Sequence, residues 1–335
     1  MKQLEIAFFE TKKTEKEYIK KALKGHKLKF FDETIQKVDI KKFKTANIVS
    51  VFIYSKIDKK ILQSLPKLEA VATMSTGFDH IDLEACKSKN IQVGNVPFYG
   101  ENTVAEHTFA LLLNLSRKVH LSYERTINKD YSNDGLQGFD LKGKTLGIIG
   151  VGHIGMHVIR MAKGFGMHVK AYDLNKDTFT SEILHFQYTE LNDLLKNSDV
   201  VTLHMPYNKN THHFLNKKRI GSMKKGAIII NTGRGGLIDT DALYTALKKD
   251  QIGGAGLDVI EGEELIAHEE ELIGDSKAQK KLGQVFRDQQ IFKMDNVIFT
   301  PHNAFNSKEA LRRILDTTLH NIEAYSKNKK VKYQV

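Results

Sequence analysis

A few residues in this 335-residue chain pair a reactive group with a position that could use it. Arg234 follows the apolar run Ala227–Asn231, within Asn-Thr-Gly-Arg-Gly-Gly. A guanidinium there can grip a carboxylate through two parallel hydrogen bonds and polarise a carbonyl beside it. Its flanking glycines would let the backbone come close to a ligand, although such an arginine can also serve a neighbouring acid or a helix end. His302 follows Val297–Thr300 in Thr-Pro-His-Asn, where Pro301 forces an extended entry. Imidazole is the usual group for proton exchange near neutral pH. Among 14 histidines, position singles this one out. A carboxylate bonded to that ring would fix its orientation and favour its charged form. Glu261 and Glu263 both lie in Asp-Val-Ile-Glu-Gly-Glu, in an acid-rich region, and spacing does not choose between them.

A second constellation would hold a dinucleotide. Gly150-x-Gly152-x-x-Gly155 follows the strand-like Thr145–Ile149 and opens an amphipathic segment carrying Ile154, Val158, Met161, Ala162 and Phe165. Gly150 permits the tight turn, Gly152 lets the backbone approach a pyrophosphate, and Gly155 lets the helix sit close to the sheet. N–H groups at the helix start then face the phosphates. The next strand-like run, His168–Tyr172, ends at Asp173, 18 residues beyond Gly155, near the spacing of an acid that binds a ribose 2′-hydroxyl. The bare pattern is a weak signal, since a glycine-rich turn can bind nothing. Its strand, helix and acid make it specific, and the acid favours NAD over NADP, with Lys176 close enough to soften that preference.

These residues need strands that end where they begin. From residue 4 to about 95, strand-like runs (Leu4–Phe9, Asn47–Ile53, Leu68–Met74, Ile91–Gly94) alternate with helical ones (Thr14–Leu23, Asp58–Leu65, Ile81–Ser88). That βα alternation predicts a parallel sheet. One long helix over Thr103–Arg125 is expected to leave this domain for another. A second βα series starts at the glycine turn and continues through Asp199–His204, Ala227–Asn231, a helix capped by Asp239, Ala255–Val259 and Val297–Thr300. The last helical stretch, Ser307 to about Ser326, is expected to return to the first domain.

Composition agrees with an ordinary globular chain, 41% apolar and 27% charged, long enough for two cores. A single cysteine, Cys86, excludes an intrachain disulfide and fits a reducing compartment. No signal-peptide core is visible, and the most apolar stretch, Phe109–Leu115, is too short to span a bilayer, so a cytoplasmic protein with no membrane partner is expected. The net charge of +11 comes from dispersed lysines without a nucleic-acid motif, which reads as a solvated basic face. No metal ligands are singled out.

The motifs together resemble the D-isomer-specific 2-hydroxyacid dehydrogenases, nearest the D-lactate dehydrogenase branch. The resemblance is carried by residues 74–82 (Met-Ser-Thr-Gly-Phe-Asp-His-Ile-Asp), 95–107 (Asn-Val-Pro-Phe-Tyr-Gly-Glu-Asn-Thr-Val-Ala-Glu-His), 147–155, 231–239, 256–263 and 300–305, in family order over roughly residues 70 to 325. It implies an α/β fold of two doubly wound parallel-sheet domains, with a Rossmann NAD-binding domain (119–302) inserted into a discontinuous flavodoxin-like substrate domain (1–118 and 303–335). It implies that Arg234 binds the substrate's carboxylate and carbonyl, that His302 is the acid/base, and that Glu263 is its partner. Backbone amides at Thr76 and Gly77 would receive the carboxylate, and Tyr99 would line the pocket, with Phe78 and Phe98 nearby. Along NAD, His153 and Ile154 would meet the pyrophosphate and Asp173 the adenosine ribose. Met205, Pro206 and Thr211 would flank the adenine-side and ribose contacts. Thr232, Gly233 and Arg234 would approach the nicotinamide half, and Asp258 the carboxamide.

The same resemblance implies a homodimer with the long helix at its interface. Its expected reaction is reversible hydride transfer between NADH and a small 2-keto acid. Pyruvate leads, with hydroxypyruvate, glyoxylate and branched 2-keto acids open. An NAD-sensing regulator on the same fold is the rival reading, and Glu263 argues against a formate dehydrogenase. One departure is a charged, helix-like segment from Glu264 to Lys293, longer than in compact members.

Overall fold

The structure is a computed structural model and describes residues 3–263, 279–327 and 333–335. Of the segment 264–293, residues 264–278 lie outside the described residues and the rest forms the helix Gln279–Phe292 and its exit. The chain divides into two compact units, Met1–Tyr99 with Ser307–Val335, and Gly100–Asn306. The expected domain boundaries lay at residues 118 and 303 instead.

The first unit holds strands β1 (Glu5–Phe8), β2 (Lys27–Phe30), β3 (Ile48–Val51), β4 (Ala70–Thr73) and β5 (Gln92–Gly94). Their order is β2-β1-β3-β4-β5, all pairs parallel, as in flavodoxin-like sheets. β3 and β4 are buried at every residue, which follows from helices covering both faces of a parallel sheet. Phe9, Ile35, Phe43 and Leu62 fill one core beside them. The helix Lys308–Ser326 returns to this sheet. Its Asn321 amide donates to the Asn95 carbonyl at 2.9 Å, and Tyr325 donates to Glu69 at 2.8 Å. β2 lies outside the sequence expectations, because its Lys-Leu-Lys-Phe is short and sits at an edge.

The second unit holds β6 (Thr145–Ile149), β7 (His168–Tyr172), β8 (Gln187–Tyr188), β9 (Val200–Leu203), β10 (Ala227–Asn231), β11 (Ile252–Leu257) and β12 (Val297–Phe299). The order β12-β11-β10-β9-β6-β7-β8 is parallel throughout. It reverses direction between β6 and β9, which is the crevice where such sheets bind ligands. Asp239 caps the helix Thr240–Lys248, accepting from Ala242 N–H at 3.0 Å.

The single helix expected over Thr103–Arg125 is two, Glu101–Arg117 and Val119–Ile127. Lys118 breaks it with a left-handed backbone (φ 51°, ψ 39°), and the Asn114 side chain accepts from His120 N–H at 2.8 Å. That bond replaces one that a continuous helix would have made. No helix among the described residues is long and apolar enough to cross a membrane.

Candidate active site

In the second unit, β10, β11 and β12 lie side by side and end together, so the loops that follow them meet. His302 leaves β12 through Thr300 and Pro301 with a left-handed backbone, φ 50°. Its Nδ1 lies 2.8 Å from Oε1 of Glu263, with both side chains largely covered. That contact commits Nδ1 and leaves Nε2 as the ring atom able to exchange a proton with a ligand. Glu261, the other acid that spacing allowed, faces away from this ring and pairs with His213 Nε2 at 2.8 Å.

Asp258 is fully buried at the end of β11. Its Oδ1 accepts from the Thr300 hydroxyl at 2.5 Å and from Asn303 N–H at 2.8 Å, while Oδ2 accepts from Ala304 N–H at 2.8 Å. His107 Nε2 lies 3.3 Å from the same carboxylate and 2.9 Å from the Thr300 hydroxyl. Burial pushes this carboxyl upward, but the bonds from His107, Thr300, Ala304 and Asn303 outweigh it and hold the group below the usual carboxylate range. Sequence reasoning gave His107 no role, although it closes one of the quoted motifs. Its partners lie 151 and 193 residues away, so only the fold shows the connection.

Arg234 follows β10 in extended conformation. Its loop is shaped by Asn231, whose amide donates to the Arg234 carbonyl at 2.9 Å and whose Oδ1 accepts from Gly233 N–H at 3.0 Å. The Arg234 guanidinium donates to the Gly233 carbonyl at 2.9 Å. Gly235 presses directly on the backbone of Ile260 and Glu261, and a β-carbon there would overlap both. The flanking glycine therefore serves loop-to-loop packing, where the sequence had suggested ligand approach. It seats the arginine loop against the loop that carries Glu263. Thr232 lies 3.1 Å from the Thr108 hydroxyl.

The cofactor candidates converge at the β6/β9 switch point. Gly150 has φ 96°, and a β-carbon there would stand 2.6 Å from the His204 carbonyl. At Gly155 it would overlap the Gly150 carbonyl, so this glycine permits close helix–strand packing. At Gly152 a β-carbon would meet no described atom within 4 Å, so this glycine opens on space, as a cradle for a pyrophosphate requires. The helix His153–Gly164 begins there, with Ile154 in its first turn and no side-chain cap. Asp173 stands at the end of β7 and accepts from Val151 N–H at 2.6 Å and Asn175 N–H at 2.9 Å. Met205 and Pro206 follow β9, and Thr211 donates back to the Pro206 carbonyl at 2.9 Å, closing its own turn. The open glycine cradle, uncapped helix start and acid together fit NAD.

In the first unit, Thr76 and Gly77 follow β4 in a pinned turn. The Thr76 hydroxyl donates to the Val96 carbonyl and Ser75 to the Gly77 carbonyl, both at 2.7 Å, while Asn95 donates to the Thr76 carbonyl at 2.9 Å. The carbonyl of Tyr99 accepts from Arg313 at 2.5 Å. Phe78 and Phe98 are exposed.

The family model described as "D-isomer specific 2-hydroxyacid dehydrogenase, NAD binding domain" matches residues 109–304. A 2-hydroxyacid dehydrogenase homolog of Haemophilus influenzae is 38% identical, covering 95% of this chain and 95% of its own. The D-lactate dehydrogenase of Escherichia coli is 35% identical, covering 97% of each chain. Among solved structures, the Aquifex aeolicus D-lactate dehydrogenase complexed with NAD and lactic acid superposes with a TM-score of 0.88 at 38% identity, covering 96% of each chain.

Proposed function

The chain belongs to the D-isomer-specific 2-hydroxyacid dehydrogenases, NAD-dependent oxidoreductases, and from that premise we propose that it interconverts pyruvate and D-lactate. The observation that carries the reading is the Glu263–His302 contact at 2.8 Å, beside an arginine loop packed on the same acidic turn. The substrate choice draws on the D-lactate dehydrogenases at 35–38% identity over nearly the whole chain.

An NADH with its pyrophosphate at the glycine cradle and its nicotinamide toward Thr232, Gly233 and Arg234 would supply the hydride to the carbonyl carbon. Arg234 grips the substrate carboxylate and offsets the charge that develops on the carbonyl oxygen. His302 delivers a proton from Nε2 to that oxygen, and takes it back in the oxidising direction. Glu263 keeps the ring aimed by holding Nδ1. In the first unit, the backbone N–H groups of Thr76 and Gly77 are the candidates to receive a carboxylate, and Tyr99 is the candidate pocket residue. Asp173 receives the adenosine ribose and disfavours a 2′-phosphate.

The enzyme works as a homodimer in the cytoplasm. Val119, Tyr123 and Ile127 form an apolar stripe at i, i+4 and i+8 of their helix, 53%, 67% and 60% exposed, and a second copy would cover them. The lone Cys86 is buried, and burial, aided by Asp82, pushes its thiol up to about 11, in keeping with a reducing compartment.

The test is NADH oxidation with pyruvate, hydroxypyruvate, glyoxylate and branched 2-keto acids, with chiral analysis of the product and molar mass by light scattering. Pyruvate should give the highest kcat/KM and D-lactate as product. L-lactate as product would sink the mechanism. Tight NADH binding without turnover on any keto acid would favour a regulator instead.

A further inference from the structure

Outside the groups used above, the second unit brings two imidazoles and a carboxylate together at one point. His212 and His213 follow the turn closed by Thr211, and Glu261 lies on the loop after β11. One donor atom from each of the three lies within 4.8 Å of the others. His213 Nε2 is 2.8 and 3.0 Å from the two Glu261 oxygens, and the His212 ring stacks on that of His213 at 3.8 Å. The His213–Glu261 pair uses two of these groups, and His212 brings a third donor atom to the same point.

We propose that His212, His213 and Glu261 form a binding site for a divalent first-row transition ion of the zinc–nickel class. The donor set is two nitrogens and a carboxylate, which suits these ions and not calcium or magnesium. Metal–donor bonds of about 2.0–2.2 Å would seat an ion between His213 and Glu261 with an angle of about 90°. That angle matches octahedral or tetragonal coordination, and the exposed His212 ring turns out of its 3.8 Å stack on His213 to aim its lone pair at the same ion.

The surroundings are built as metal sites usually are. His212 Nδ1 lies 3.1 Å from the Tyr207 hydroxyl, which orients the ring from outside the donor set. The backbone N–H of His213 donates to the Gly236 carbonyl at 2.8 Å, and Gln284 donates to the Glu261 carbonyl at 2.6 Å, so both donors stand on anchored backbone. His212 is exposed and leaves an entry path.

Glu261 also acts on a buried acid. Asp288 is fully buried, and neither of its carboxylate oxygens has a hydrogen-bond partner among the described residues. Burial pushes its carboxyl up to about 7, Arg287 pulls it back, and Glu261 and Asp241 push it further up. Arg287 is itself paired to Asp241. A cation on Glu261 would cancel the upward push that Glu261 exerts on this carboxyl.

Titration of tag-free, chelator-treated full-length protein with zinc chloride, and separately nickel chloride, tests the site by calorimetry and by the shift in Tm. One ion per chain should bind with at least one of the two metals. His212→Ala, His213→Ala and Glu261→Gln should each weaken it by about 10–100-fold or more, and the metal-induced rise in Tm should shrink with them. His185→Ala, at an exposed histidine elsewhere, should bind as wild type does. His212 is exposed, so its variant reports on binding and not on folding. X-ray absorption of the loaded protein should show two imidazoles in the first shell. Failure of both metals to bind at one per chain, or binding that survives any of the three substitutions, overturns the site.

Discussion

Asp258 accepts the backbone N–H of His302 at its own carbonyl, 2.8 Å away, and its carboxylate takes the N–H groups of the next two residues. His302 holds φ 50°, a conformation that costs a non-glycine residue roughly 1 kcal/mol or more. The buried aspartate thus over-determines the strained turn that aims the imidazole. Both of its oxygens are engaged by the protein's own groups.

Asp258→Asn turns one of two accepting oxygens into a donor, so either Ala304 N–H or the Thr300 hydroxyl and Asn303 N–H lose their acceptor. Stability should fall by about 1–3 kcal/mol, and kcat should fall more than NADH affinity does. The carboxyl is held below its usual range in the folded state. Its stabilising contribution is therefore present above the usual carboxylate range and lost as pH falls through the lower folded value. The variant should accordingly lose less stability than wild type on acidification below about pH 4. Parallel acid-melting curves for the two proteins would contradict this account.

Removing the imidazole separates chemistry from binding. His302→Ala should lower kcat by about 10²–10⁴-fold, while NADH binding, followed by fluorescence titration, stays within a few-fold. Glu263→Gln keeps shape but weakens the grip on Nδ1, and should sit between wild type and His302→Ala with KM little changed. Turnover of His302→Ala near the wild-type rate would remove it from the proton-transfer step.

The sequence carries its local patterns well and its long-range choices poorly. The glycine turn, its strand and Asp173 lie within one βα unit, so periodicity alone places them. Glu261 and Glu263 are two residues apart with the same chemistry, and only the approach of the His302 loop from β12 and the His213 loop from β9 sorts them. The break at Lys118 has no glycine or proline to announce it, because the Asn114 side chain supplies the missing partner. His107 reads as one residue of a helix until β11 and β12 bring Asp258 and Thr300 beneath it.

Two glycines in the two motifs should respond oppositely to the same change. Gly152→Ala meets no described atom within 4 Å, so Tm should stay within a degree or two of wild type while the KM for NADH rises. Gly235→Ala drives a methyl into the backbone of Ile260 and Glu261, so it should lower Tm and separate Arg234 from the Glu263 loop. Its keto-acid KM should rise and its kcat fall together. Unchanged NADH affinity in Gly152→Ala would place the pyrophosphate elsewhere.

The last prediction concerns acid stability at the switch point. His204 follows β9 directly, beside Gly150, with its Nε2 2.9 Å from the Thr202 hydroxyl. Burial of the ring pushes its pKa down to about 3, although the residue keeps some accessible surface. The folded value lies below the unfolded one, so the neutral ring's contribution is fully present above about pH 6.5 and is lost as pH falls toward 3. Between pH 6.5 and 5 the loss should be on the order of 1–2 kcal/mol, with the remaining exposure setting the lower end. His204→Asn removes the titrating group while keeping a polar partner for Thr202. Its Tm should be lower than wild type at pH 7.5 yet fall less on moving to pH 5, as measured by paired thermal melts. An equal fall in both proteins would mean that the imidazole protonates in the folded state and that solvent reaches it.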